Sequence, residues 1–233
     1  MKKAWALAWR EIVDTFSDRG SLLRSLFFGG LPIILLLVNR GGRPNPTVIL
    51  IFAVQAALLP AASAVNAAAG SFAGEKEAQT LIPLLAAPIR DVDIVAGKFA
   101  AAVIPATVLA WVAIGVYDAT ARFLYGAALV GTALPLTLIF GLAVLAFLVV
   151  LTLTSVVMVA SARVATQRAA QQIGGFVIAG FAIAFGSVIG GILGSEMRDT
   201  LVIAVPLALL ALDIVALEIA RRLWDREEAV ARA

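Results

Sequence analysis

Long apolar runs dominate this sequence. From Thr47 to Phe72, Val95 to Tyr117, Phe123 to Ala160, Ile173 to Gly194 and Leu201 to Ala220 the chain meets almost no charge. About 20 apolar residues suffice for a helix to cross the ~30 Å hydrocarbon core of a bilayer, where only helices and closed barrels satisfy every backbone group. The runs are continuous rather than alternating, which selects helices over a barrel. Composition agrees, with 62% hydrophobic and 14% charged residues and a mean hydropathy of +1.01, against roughly 45–50% and about 25% in soluble domains. The chain reads as an all-α polytopic membrane protein.

The chain has no cysteine and no histidine. That removes disulfides, thiolate nucleophiles, imidazole bases and His/Cys zinc sites together. An enzyme is the weakest reading, because the remaining carboxylates, lysines and hydroxyls do not cluster. The phosphate-cradling GxxxxGK[ST] loop is also missing, since the one Gly-Lys pair, Gly97-Lys98, is followed by Phe99 and lacks the earlier glycine. If ATP drives this protein, another chain binds it.

Residues 1–21 carry charges too often to hold the 7–15-residue apolar core of a signal peptide. Trp5, Trp9, Ile12 and Phe16 recur at helical spacing instead, with Arg10 and Glu11 among the charges on the rest of the wheel. This predicts an amphipathic helix, either lying in the membrane interface with its Trp rings at headgroup level or packed on a partner protein. Residues 22–220 then form the transmembrane domain. Its spans are Leu22 to Val38, about Thr47 to Phe72, about Val95 to Tyr117, near Leu134 to Val159, Ile173 to Gly194 and Leu201 to Ala220. Asn39 to Pro46, Asp118 to Arg122 and Ser161 to Gln172 are expected as loops or links, and a short surface or re-entrant piece is expected before Pro135. Residues 221–233 are a charged tail.

Six spans put both termini on one side. Fourteen Lys and Arg lie in the segments on that side and four in the opposite loops, so the positive-inside rule puts both termini in the cytoplasm. The net charge of +3 thus reports orientation, and no nucleic-acid partner is expected.

One island interrupts the apolar pattern. Gly74 to Lys98, GEKEAQTLIPLLAAPIRDVDIVAGK, holds four acidic and three basic side chains between two spans. Leu81, Leu84 and Leu85 form a short i, i+3, i+4 apolar face, Pro83 falls in the first turn and Pro88 closes it. These residues predict a cytoplasmic helix of about two turns across the ends of spans two and three, within about residues 74–93. Such a helix can pass a rigid-body push to the spans, although most charged loops are merely solvated connectors.

These same residues resemble the cytoplasmic motif of ATP-binding-cassette type 2 (ABC-2) permeases. The matching positions are Glu75, Glu77, Thr80, Leu81, Leu84, Leu85, Pro88, Ile94, Gly97 and Lys98. The GEKE start is most similar to the sodium-efflux, NatB-like branch, and Trp9-Arg10-Glu11-Ile12 with Asp14 looks like the family's entry helix. The resemblance implies a permease subunit in a bacterial or archaeal membrane that pairs with a second copy of itself or a homologous permease. Each would dock on a separate ATPase subunit that holds the ATP and Mg, while this chain binds no cofactor or metal and moves substrate outward. It also implies that Glu75, Glu77, Thr80, Leu81, Leu84, Leu85 and Pro88 form the coupling element. The chain departs from many sodium-type members in lacking a large external domain after span one.

Three features remain open from the residues themselves. Ala182, Gly186, Gly190 and Gly194 form a small-residue ladder in span five, which allows close helix approach either between subunits or within one. Asp213 lies well inside span six, where an uncompensated acid costs on the order of 2.5–3.5 kcal/mol. It is either a cation or proton site or a pair that locks helices. Gln55 and Asn66 lie near one face of span two and could line a polar path with it. Two other classes compete with the exporter permease. A membrane scaffold would recruit the same cytoplasmic partner without any response to nucleotide. An ion-coupled secondary transporter would use Asp213, but no inverted repeat of broken helices accompanies it.

Overall fold

The computed structural model describes residues 2–17, 19–41, 45–80, 90–194 and 207–215, and every regular element among them is helical. In chain order they are α1 (Lys2–Ser17), α2 (Arg19–Val38), a 3-10 turn (Asn39–Gly41), α3 (Pro46–Leu58), α4 (Ala61–Glu77), α5 (Asp91–Tyr125), α6 (Ala127–Ala133), α7 (Leu136–Arg163), α8 (Gln167–Gly194) and α9 (207–215). Three stretches among the described residues are long and apolar enough to cross a membrane: Pro46–Glu77, Val92–Tyr125 and Leu136–Arg163. Ser25–Val38 is a shorter apolar helix.

Proline and glycine set the boundaries. Pro60 has no N–H to continue the ladder, so the second span is two helices meeting at Leu59–Pro60. Asn45 caps α3, its side chain accepting from Thr47 N, and Pro46 follows at the first helical position. Gly126 ends α5 at φ 86°, a conformation that a Cβ disfavours.

Asp118 to Arg122, expected as a loop, is helical. The Arg122 Nε donates to Asp118 Oδ2 at 2.7 Å one turn away, so the charges pair along α5 and need no break in it. At 35 residues, α5 is about 52 Å long and exceeds the ~30 Å hydrocarbon core. Similarly, the expected Ser161 to Gln172 link shortens to residues 164–166, because α7 continues to Arg163 and α8 begins at Gln167. The seven-residue α6 stands where a short surface piece was expected.

The packing core is made of small side chains. Ala61, Ala64, Ala68, Ala69 and Ala73 of α4 are buried with Ala102, Ala106, Val149, Val150, Leu153 and Val157 of α5 and α7. A second cluster joins α3 to α5, α6 and α7 through Ile49, Ala53, Ala110, Ile114, Val130 and Leu142. Many large apolar residues face outward, among them Phe123, Leu136, Phe140 and Phe176. Lipid tails remove the usual drive to bury such side chains, whereas small ones let helix backbones approach. Tyr117 is buried and donates its hydroxyl to Ile49 O at 2.7 Å, tying α5 to α3.

Candidate functional site

The charged island begins inside a helix. Gly74 to Glu77 form the last turn of α4, which then stops in a Schellman-type end: Gln79 N donates to Lys76 O and Thr80 N to Glu75 O. Gln79 takes the left-handed position at φ 56° usually given to glycine. Residues 81–89, and with them Leu81, Leu84, Leu85 and Pro88, lie outside the described residues. The chain re-enters helix at Asp91 after Arg90, whose guanidinium donates to Asp93 Oδ2 at 2.9 Å. That hydrogen bond holds the Arg90 pKa above its ordinary value.

At the base of this segment sits Lys98, whose side chain is 2% exposed. Its Nζ donates to Glu75 Oε1 at 2.7 Å, Glu11 Oε1 at 2.8 Å and Ser71 O at 2.8 Å, and lies 5.5 Å from the centre of the Phe72 ring. A buried ammonium is tolerable only when all three protons find acceptors, and here they do. One lysine therefore pins three elements: α1 through Glu11, the end of α4 through Glu75 and Ser71, and α5, which carries it. A cavity of about 280 Å³ lies beside this triad, lined by Ala67, Gly70, Ala101 and Ala102 along with the ionic residues.

A second clamp holds the opposite side of the α4 end. Lys76 is buried, and its Nζ donates to Ala162 O at 2.7 Å and Val164 O at 3.4 Å, the carbonyls released where α7 ends. Ser161 Oγ donates to Ala69 O and accepts from Phe72 N and Ala73 N. The Gln167 amide lies against Gly70 and Gly74, where a Cβ would come within 3.2 Å and 3.4 Å of it. Gly174, one residue into the run read as span five, is pressed so closely on α4 and α7 that a Cβ would collide with Val65 and touch Val157 at 3.4 Å.

Of the expected coupling residues, Glu75 is thus in the triad, Glu77 is exposed on the last turn of α4, and Thr80 is exposed just beyond it. In α1, Glu11 reaches Lys98, while Ala8 and Ile12 pack on α5 at Ala100 and Ala101. Trp5 and Trp9 point away from that contact, their rings 6.5 Å apart and more than half exposed, and Arg10 is also exposed. Ala182, Gly186, Gly190 and Gly194 lie on α8, but the side chains there are beyond the described ones. Gln55 and Asn66 fall on different helices across the Pro60 break. Asp213 is on α9, buried beside Thr152 of α7, so the three path candidates are not brought into one site by any hydrogen bond among the described residues.

Lys76, Ser161, Gln167 and Gly174 were not singled out in the sequence reading. One signal was present, because Gly70 and Gly74 have the small-xxx-small spacing of a close helix contact. Long apolar helices packed through alanines and glycines, with ionic clamps at one end, define a multi-pass membrane protein. The family follows from the sequence match: residues 5–218 fit the family model described as ABC-2 family transporter protein, and the chain belongs to that family. No curated protein matches the chain. Members of the family are membrane transport components that lack an ATPase domain of their own and work with an ABC ATPase in general, so this chain is an ABC-type permease.

Proposed function

We propose that the chain is one permease subunit of an ATP-driven exporter, that it pairs with a second copy or a homologous permease, and that a separate ATPase subunit carrying ATP and Mg docks on residues 74–93. The observation that carries this reading is the Lys98 triad. It fastens both helices flanking the proposed docking segment to each other and to α1, so a push on that segment has three rigid elements to move. The exposed Trp5 and Trp9 suit an interfacial position for α1. With six spans and both termini in the cytoplasm, the clamps lie on the ATPase side of a bacterial or archaeal membrane. Sodium is the first cargo to test, given the GEKE sequence of the NatB-like branch.

The test is co-expression with a candidate ABC ATPase from the same genome, followed by reconstitution in proteoliposomes and parallel measurement of ATP hydrolysis and sodium flux. Glu77→Ala and Leu84→Asp should keep hydrolysis while abolishing flux. Normal flux in both variants would remove the coupling assignment. If the wild type couples ATP to a conformational change but moves no sodium, the branch is wrong and the class stands. A scaffold would bind the same ATPase with no conformational response to nucleotide.

A further inference from the structure

Asp213 of α9 meets Thr152 of α7. Asp213 is 2% exposed and Thr152 1% exposed, so the pair is closed to water. Thr152 Oγ1 lies 3.0 Å from Leu148 O on its own helix and 2.5 Å from Asp213 Oδ1 on α9. Asp213 Oδ2 has no hydrogen-bond partner and is fully buried. A hydroxyl has one proton to give, and here two acceptors stand within reach of it.

The count closes if the carboxyl holds the missing proton. Protonated Asp213 donates from Oδ1 to Thr152 Oγ1, Thr152 donates to Leu148 O, and Oδ2 becomes a carbonyl oxygen, which is far easier to leave unpartnered than a carboxylate oxygen. Ionised Asp213 would instead hold a full charge in the hydrocarbon region on one shared hydrogen bond, with an orphaned anionic oxygen.

No described cation is placed to compensate such a charge. Between Leu136 and Ala162, α7 has no ionisable side chain, and Arg163 at its end is exposed. On α4, Lys76 is bound to the Ala162 and Val164 carbonyls, Glu75 to Lys98, and Glu77 is exposed. On α5, Lys98 serves Glu11 and Glu75, Asp93 pairs with Arg90 and Asp118 with Arg122. Arg168 of α8 is exposed. Leu209, one turn before Asp213, is packed in the same cluster as Leu148 and Leu153, so the carboxyl meets an apolar wall around its one polar neighbour.

We infer that Asp213 is a membrane-buried proton-binding site, a neutral carboxylic acid whose proton latches α9 onto α7 through Thr152. Release of the proton leaves a buried carboxylate that must share the one Thr152 proton with Leu148 O, which weakens the latch. The proton is therefore a ligand of this permease at a position that shares no residue with the Lys98 and Lys76 clamps.

Infrared spectroscopy of the full-length chain in lipid bilayers tests this directly, because a protonated carboxyl has a C=O stretch above the amide bands that moves on deuteration. At pH 7, about three units above the ordinary aspartate value of about 3.9, the wild type should show such a band. Asp213→Asn should remove it, and Thr152→Val should move it to higher frequency by taking away its acceptor. Asp213→Asn, which preserves a neutral donor, should also keep the wild-type unfolding temperature while Asp213→Ala lowers it. Absence of any band sensitive to Asp213→Asn, or an Asn variant that melts as low as the Ala variant, would overturn the inference. Should Asp213→Asn fail to fold, Thr152→Val decides: a shifted band supports the latch, and an unmoved or missing band overturns it.

Discussion

Lys98 Nζ stands 2.7 Å from Glu75 Oε1, joining α5 to the last turn of α4 across 23 residues of sequence. Glu11 completes the contact from α1 at 2.8 Å. The pairing is lopsided in burial, with Lys98 at 2% exposure and the two carboxylates at 25% and 27%. Glu11 can recover water if the lysine is lost, but Glu75 Oε2 is buried without a partner and the lysine itself is closed to water.

Lys98→Met should therefore destabilise the fold by about 3 kcal/mol, the lower end of the range for breaking a buried pair. Thermal unfolding in detergent or lipid reads this as a lowered midpoint. Glu75→Gln alone should cost less, since Glu11 and Ser71 O still receive the ammonium. Both carboxylates removed together should cost more than the two single losses combined, by an interaction energy of about 0.5–3 kcal/mol in a double-mutant cycle. Strict additivity would show that Lys98 does not link α1 to α4.

The clamp at the α7 end separates a charged from a neutral hydrogen bond. Lys76→Met removes the donor to Ala162 O and Val164 O and should cost about 1.5–3 kcal/mol, while Ser161→Ala should cost about 1 kcal/mol. Chemical or thermal unfolding of the two variants side by side measures the order. Equal losses would mean that Lys76 is solvated rather than bound to the helix end.

Gly174 makes a steric prediction. An added methyl meets Val65, so Gly174→Ala should lower stability by about 1–3 kcal/mol through overpacking. Trimming the neighbour in the double variant Val65→Ala, Gly174→Ala should recover most of that loss, as followed by unfolding midpoint. A single variant as stable as wild type would mean that α8 can shift on α4 at no cost.

Coupling across the proposed docking segment can be read without knowing the cargo. Lys98→Arg keeps the charge but replaces a compact ammonium with a planar fork that the site was not shaped for. With its ATPase bound, this variant should retain basal ATP hydrolysis while losing most of the nucleotide-dependent movement between α1 and α4, measured by distance between spin labels. Unchanged label distances would argue that the triad is a static fastener.

Much of the helical content could be read along the chain, because apolar runs of membrane length have few other outcomes. Pro60 divides span two whereas Pro32 and Pro105 stay inside their helices, so a missing N–H does not by itself say where a helix stops. Asp118 and Arg122 suggest a loop because charge is costly in an apolar run. In the structure an i, i+4 pair lets both stay on the helix. Trp5, Trp9 and Ile12 gave one apolar stripe on a helical wheel, yet Ile12 packs on α5 while the two Trp rings remain exposed. A wheel shows which residues share a side and leaves open which of them meets protein.

The resemblance carried by GEKE and Gly97-Lys98 pointed to the island without showing that Lys98 is its buried anchor. Sequence alone determined that this chain is a set of apolar membrane helices, since that follows from runs of length and composition with few other outcomes. Only the tertiary structure decided that Glu11, Glu75 and Lys98 meet, that Lys76 grips the end of α7 while Ser161 of α7 grips α4, and that Asp213 faces Thr152. Those partners are separated by 23 to 92 residues, and at such separations it is the packing of alanines and glycines between helices that chooses which polar groups come within hydrogen-bonding reach.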